Sequence, residues 1–183
     1  MPLFSNGSMH SMKRAISCIA MFIAVPACAA GADCLVADRP SMLTLNLAAF
    51  DQTPESGWRI LQDKGCFAEA ADLIEEYVRL HGHTYVLAFH GGQLRLKAGS
   101  YAAARELFEQ AKRSDMEADN PLKWNEFVDA YLAFIGNDRE RLQKARDAIA
   151  VRTDFWGNRA NLAVVEKMLK NLGKPYVEAI GAR

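Results

Sequence analysis

Two stretches of this chain resemble each other at a fixed spacing. Residues 65–74 read GCFAEAADLI, and residues 99–108 read GSYAAARELF. In both, the opening glycine is followed by an aromatic residue two positions later, an alanine after five and a large apolar residue after nine. The period is therefore 34 residues. A period of this length predicts a stack of similar units rather than one irregular core. Such stacks typically bind other molecules over an extended surface.

The rest of the chain after about residue 50 predicts helices and no strands. Apolar residues recur at helical spacing, for example at Ala104, Leu107, Phe108 and Ala111. Glycines at positions 65, 99 and 136 predict helix ends. We therefore predict an all-α fold. Its architecture is expected to be a right-handed stack of antiparallel helical hairpins, with about three pairs and a terminal helix.

Cap residues and prolines predict where individual helices begin. Thr53-Pro54 predicts the first helix of the first pair, and Asn120-Pro121 predicts the third pair. The pattern predicts that the second helix of the middle pair spans 101–113. The last long helix is expected to begin at Asn158 or Asn161.

The middle pair resembles a tetratricopeptide repeat. That family has a small residue inside the first helix, a glycine at the turn, and an alanine and aromatic pattern in the second helix. Here the matching residues are Gly92, Gly99, Tyr101, Ala104, Phe108 and Ala111. We expect Gly92 and Ala104 to let two helices approach closely, and Gly99 to adopt a left-handed turn conformation. The unit before it matches less well, since Trp58 stands where a small residue is expected.

The resemblance implies a groove lined by the first helix of each pair, which binds peptides or partner proteins in this family. Its register implies nine partner-binding residues: Arg59, Gln62, Asp63, Phe89, Gln93, Leu96, Lys97, Lys123 and Glu126. The alternative interpretation is that Phe89 and Leu96 belong to the core between helices and that the polar residues form a solvated surface.

The N-terminal residues 1–31 have the pattern of a secretory signal peptide. Lys13 and Arg14 precede a short apolar run at 15–25, which Pro26 and several small residues follow. We expect residues 32–183 to form one helical-repeat domain of an exported, most simply periplasmic, protein. Three alternatives stay open: a retained membrane anchor, a lipoprotein signal with lipid on Cys28, and translation from Met12.

Charge argues against two classes of partner. Cleavage after Gly31 would leave 152 residues with a net charge of −2, since the first 31 residues hold two basic and no acidic side chains. Nucleic-acid binding requires a basic surface, and attraction to anionic lipids requires a basic cluster. We expect neither partner, and we expect no membrane span after residue 31.

Two cysteines, Cys34 and Cys66, follow the predicted cleavage site. Exported proteins meet oxidising conditions, so this pair predicts a disulfide. The alternative is that Cys66 is a small buried residue with a free thiol.

No motif of a known catalytic or cofactor site is evident, so we expect a non-enzymatic protein without a cofactor. His81, His83 and His90 lie close in sequence, but a zinc site needs three or four converging ligands. The predicted function is protein or peptide binding. One alternative is a small-ligand or metal-binding envelope protein that uses these histidines and Trp58. The other is a structural subunit of a homodimer.

Overall fold

A computed structural model describes residues 34–35, 38–116 and 120–181. This part of the chain is helical and contains no β-strand. A π-helical turn spans Ala48–Gln52. The α-helices of the described residues are α1 (Arg39–Leu43), α2 (Arg59–Asp63), α3 (Phe67–His81), α4 (Tyr85–Lys97), α5 (Tyr101–Gln110), α6 (Trp124–Ile135), α7 (Arg139–Ala150), α8 (Trp156–Lys170) and α9 (Tyr176–Ile180). The predicted signal peptide lies outside the described residues.

Three short turns between helices share one geometry. Each contains a residue with positive φ: Gly65 at 79°, Gly99 at 79° and Asn137 at 52°. Its amide donates to the carbonyl three residues earlier, and the next amide donates to the carbonyl five residues earlier, at 2.8–3.1 Å. This is a common way to end a helix. The predicted left-handed conformation of Gly99 is confirmed, and it recurs at the turns from α2 to α3 and from α6 to α7.

Close packing joins α4 to α5. A Cβ atom placed on Gly92 would lie 2.9 Å from the ring of Phe108, and Ala104 is fully buried. Any larger side chain at Gly92 would displace the Phe108 ring, because the interior has no spare volume. The predicted close approach at Gly92 and Ala104 is therefore confirmed.

Neighbouring helices pack on one another along the chain from α2 to α9. Two buried clusters result. One surrounds Leu73 and Ile74 on α3, and the other surrounds Phe108, Tyr131 and Val165 on α5, α6 and α8. The all-α prediction is confirmed.

Several predicted helix boundaries are wrong. The first helix of the first pair begins at Arg59, because Glu55 and Gly57 have positive φ values of 57° and 51°. A Cβ on Gly57 would lie 2.1 Å from the carbonyl oxygen of Phe50, so two backbone segments touch there. Three other boundaries also differ: α5 ends at Gln110, α6 begins at Trp124 and α8 begins at Trp156.

A disulfide joins Cys34 to Cys66, as predicted, with their Cα atoms 5.5 Å apart. It attaches the N-terminal segment to the turn between α2 and α3. Further contacts hold this segment: Arg39 pairs with Glu76 at 2.7 Å, and the Tyr77 hydroxyl donates to the carbonyl of Leu45 at 2.9 Å.

Among the residues that the structure describes, no helix combines the length and the apolar character needed to cross a bilayer.

Candidate binding face

Side chains on or next to α2, α4 and α6, the helices predicted to be the first of each pair, contact one another. Trp58, which precedes α2, contacts the ring of His90 on α4, with ring centres 5.3 Å apart. On the other side of α4, Phe89 contacts the ring of Phe127 on α6 at 5.3 Å. Gln93 donates to the Tyr131 hydroxyl on α6 at 2.7 Å. We call the surface of these three helices the binding face.

Seven of the nine predicted partner-binding residues reach solvent. Asp63 is exposed, and six are half-buried: Arg59, Gln62, Gln93, Lys97, Lys123 and Glu126. The structure places Phe89 and Leu96 in the core, where they are 4% and 1% exposed. Phe89 contacts four aromatic rings on α5 and α6. Both residues therefore match the alternative interpretation, in which they belong to the core between helices.

The part of the face between α4 and α6 is covered by the chain itself. Helix α9 packs on α4 and α8, and Tyr176 at its start is 2% exposed. The Tyr176 hydroxyl donates to the Tyr131 hydroxyl at 3.2 Å, and its backbone amide donates to the Tyr101 hydroxyl at 2.9 Å. We call Gln93, Tyr101, Tyr131 and Tyr176 the Tyr131 cluster.

The hydroxyl groups at the centre of the Tyr131 cluster are neutral. Burial raises the pKa of Tyr131, against the opposing effect of hydrogen bonds from Tyr176 and Gln93. Burial also raises the pKa of Tyr176 well above its usual range. The Gln93 amide, which the register places in a groove, is used to hold this buried pair.

The part of the face between α2 and α4 contains a buried aspartate. Asp51 lies in the π-helical turn and is 1% exposed. Its Oδ1 accepts from Trp58 Nε1 at 3.0 Å and from His90 Nδ1 at 2.7 Å. The Gln52 side chain donates to Oδ2, and Arg59 Nε donates to the Asp51 carbonyl oxygen at 2.6 Å. We call Asp51, Gln52, Trp58, Arg59 and His90 the Asp51 cluster.

Asp51 stays ionised despite its burial. Desolvation opposes the charge, but hydrogen bonds from His90 and Trp58 and the charges of His90 and Arg59 outweigh it, so the pKa of Asp51 is lowered. An ionised carboxylate only accepts, so His90 Nδ1 must hold a proton and donate it. The buried charge thus sets the orientation of the His90 ring.

Lys97 lies further along α4, toward the turn between α2 and α3. Its ammonium nitrogen is 5.1 Å from the centre of the Phe67 ring. Burial lowers its pKa, and the charge of Asp63 opposes that effect. Charges of both signs therefore lie on the α2 and α4 side of the face.

The three histidines considered as metal ligands have separate partners. His81 Nε2 contacts the carbonyl oxygen of Leu43 at 2.7 Å, and His83 packs edge-on against Tyr85. His90 is held by Asp51. Of the described residues, the one group with metal-ligand spacing is Cys34, Cys66 and Glu69. The disulfide occupies both of its sulfur atoms, so this group does not match a thiolate site.

No sequence motif points to Asp51, and His90 enters the predictions only as part of the alternative small-ligand or metal site. The two residues are 39 positions apart, so no local motif links them. One signal was present: Asp51 is a lone acid directly after an apolar stretch that ends in Phe50. Aspartate is seldom fully buried without a partner, so burial of this residue with the apolar stretch would require one.

Comparison of the chain with protein-family models, with curated proteins and with solved structures gave no significant match.

Proposed function

We propose that this protein is an exported, tetratricopeptide-like helical-repeat protein that binds a protein or peptide segment on its binding face. The repeated turn geometry at Gly65, Gly99 and Asn137 supports the repeat architecture. The Cys34–Cys66 disulfide supports export, because such bonds persist in oxidising compartments. The protein acts by binding and not by catalysis.

The side formed by α2 and α4 is the part of the face that α9 leaves uncovered, although Lys123 and Glu126 at the start of α6 also reach solvent. Helix α9 covers the α4 and α6 side, so the partner is expected to contact Arg59, Gln62, Asp63 and Lys97 first. The single observation that carries the proposal is the Asp51 cluster. It holds His90 and Arg59 in place at the edge of this surface with a buried charge. Preorganised polar groups lower the entropy cost of binding.

A crosslinking capture experiment tests the proposal. The bait is the disulfide-bonded protein, incubated with envelope extract, and the variant is Arg59→Glu with Lys97→Glu. The matched control is Arg139→Glu with Lys144→Glu, which makes the same charge change at two exposed residues of α7. We expect one partner to be captured by the parent and the control and lost by the variant. Equal capture by all three proteins would refute the assignment of the face.

A further inference from the structure

We propose that α9 occupies a peptide-binding pocket in place of a partner, and that the partner inserts a tyrosine followed three residues later by an alanine. This inference rests on the proposed function and specifies the segment that the binding face recognises. The pocket is formed around Tyr176 by Tyr101, Tyr131 and Phe134, and we call it the Tyr176 pocket. The chemistry of the partner follows from α9, because α9 is the segment that the pocket holds.

Helix α9 is a short segment whose conformation depends on the surface beneath it. It has five residues, and an isolated helix of that length is not stable in water. Gly173, with a φ of 91°, and Pro175, which directly precedes the helix, separate it from α8. Packing on α4 and α8 therefore stabilises α9, as it would stabilise a bound peptide.

One aromatic side chain anchors α9. Tyr176 is buried, and its ring centre lies 5.9 Å from those of both Tyr131 and Phe134. Its hydroxyl and its backbone amide also donate to the hydroxyls of Tyr131 and Tyr101. A single aromatic residue buried in a pocket is typical of the residues that dominate the affinity of protein interfaces.

The pocket selects a tyrosine and a small residue. Gln93 donates to the Tyr131 hydroxyl at 2.7 Å, and Tyr176 donates to the same oxygen. A phenylalanine in place of Tyr176 would remove one of these two donors from a buried oxygen. Ala179 lies three residues after Tyr176, on the same side of α9, and is also buried. A larger side chain at this position would not fit, because the interior has no spare volume.

Two side chains at the end of α8 hold the last turn of α9. The Asn171 amide donates to the carbonyl of Ala179 at 2.9 Å, and Lys167 Nζ donates to the carbonyl of Ile180 at 3.4 Å. Asn171 is half-buried and Lys167 is exposed, so water can replace both bonds. A short element held in this way can open while the rest of the protein stays folded.

A partner can compete with α9 by using the uncovered side of the binding face. On that side, Arg59, Gln62, Asp63 and Lys97 reach solvent. A partner that fills the pocket and also contacts these residues gains interactions that α9 lacks, and linked contacts strengthen binding. The α9 helix of a second copy would only repeat the contacts of α9 in the same chain. The occupant is therefore a segment of a different protein.

Three peptides test the pocket in the disulfide-bonded protein labelled with nitrogen-15. The first, acetyl-KPYVEAIG-amide, has the sequence of residues 174–181, and the others replace its tyrosine by phenylalanine or alanine. We expect the first peptide to shift the NMR signals of Tyr176 and Gly181, with saturation, toward those of a free segment. The Gln93 side-chain signal should stay in place, because the tyrosine of the peptide replaces Tyr176. The phenylalanine peptide should bind about fivefold more weakly, and the alanine peptide should not bind.

The variant Asn171→Ala weakens the attachment of α9 and leaves the pocket intact. It loses the hydrogen bond to the carbonyl of Ala179. The first peptide should therefore bind about fivefold more tightly to this variant than to the parent. Asn161→Ala, the same substitution earlier on α8, is the matched control and should bind the peptide as the parent does.

Unchanged signals of α9 in both the parent and Asn171→Ala would overturn the proposal, as would an equal response to the tyrosine and alanine peptides. A dimer of the parent that the first peptide dissociates, measured by light scattering, would make a second copy the occupant and would also overturn it.

The crosslinking experiment separates failure of the pocket from failure of the proposed function. A protein captured through the binding face should be released by an excess of the first peptide and not by the alanine peptide. A captured protein that neither peptide releases would remove the pocket and keep the binding face. Displacement of α9 by the first peptide without any captured protein would keep the pocket and refute the proposed function.

Discussion

The Asp51 cluster and the Tyr131 cluster occupy neighbouring parts of one surface, and they use their polar groups differently. His90 and Gln93 lie one helical turn apart on α4, and each holds a buried polar residue of another segment. The Tyr131 cluster is neutral and is covered by α9. The Asp51 cluster contains a buried charge, and the His90 and Arg59 side chains at its edge reach solvent. The difference separates a closed structural network from one whose polar side chains reach the surface of the protein.

The two clusters also differ in how the chain holds them in place. Four of the five residues of the Asp51 cluster lie in the segment that the Cys34–Cys66 disulfide joins to the turn after α2, and the fifth, His90, is on α4. The Tyr131 cluster depends on the docking of a five-residue helix near the end of the chain. We therefore expect different perturbations to damage the two clusters separately.

The largest effect is expected from loss of the disulfide. In Cys34→Ser with Cys66→Ser, the unfolded chain gains the freedom of a loop closed over a separation of 32 residues. The free energy of unfolding should fall by about 3–4 kcal/mol. Urea denaturation measures the change, and hydrogen exchange should show lost protection in α1 and α3 before α6 to α8. Uniform loss of protection over all helices would contradict the separation of the two clusters.

The next effect is expected from Asp51→Ala, which removes the buried acceptor of the Asp51 cluster. Trp58 Nε1 and His90 Nδ1 would lose their partner in a buried environment. We expect the free energy of unfolding to fall by about 3 kcal/mol, the range for breaking a buried charged pair. Asp51→Asn is the matched control. It keeps an acceptor oxygen and should be destabilised less. Equal losses in the two variants would mean that shape and not hydrogen bonding holds the cluster together.

Much of the fold follows from local sequence. The 34-residue period predicts the turns at Gly65 and Gly99, and both have the left-handed conformation for which glycine is suited. The third turn does not follow that period, and its left-handed residue is Asn137 instead of a glycine. Asparagine tolerates this conformation better than most residues. The start of α2 could not be predicted from Thr53-Pro54, because the contact between Gly57 and Phe50 is tertiary.

The site was less predictable than the fold. The repeat register assigns one face of each first helix to a groove. Helix α4, however, is buried on most sides, and seven of its 13 residues are in the interior. Phe89 and Leu96 therefore pack inside, although the repeat register places them beside Gln93. The Asp51–His90 pair joins segments 39 residues apart. Only the folded arrangement brings such a pair together.

A smaller effect is expected in the Tyr131 cluster from Tyr176→Phe. The ring stays in its buried position, and Tyr131 keeps its bond from Gln93, so only one hydrogen bond between neutral groups is lost. The free energy of unfolding should fall by about 1 kcal/mol. Tyr85→Phe is the control, since the Tyr85 hydroxyl has no hydrogen-bond partner within the described residues and should change stability little. A loss above about 3 kcal/mol would show that the closed network contributes as much as the buried charge.

The smallest effect is expected from acid, and it should distinguish the charged Asp51 cluster from the neutral Tyr131 cluster. The folded pKa of Asp51 is lowered, so its contribution to stability is present above the ordinary aspartate value of 3.8 and is lost as pH falls through the folded value. The effect is modest because burial opposes the hydrogen bonds that lower the pKa. Between pH 7 and pH 3, the parent should lose more stability than Asp51→Asn, whereas Tyr176→Phe should lose as much as the parent. The tyrosines have raised pKa values and do not titrate in this range. Urea denaturation at stepped pH gives the slope of the free energy of unfolding against pH for the parent, Asp51→Asn and Tyr176→Phe. A slope in Asp51→Asn equal to that of the parent would place the acid sensitivity in other carboxylates and show that the Asp51 cluster does not gain stability from its charge.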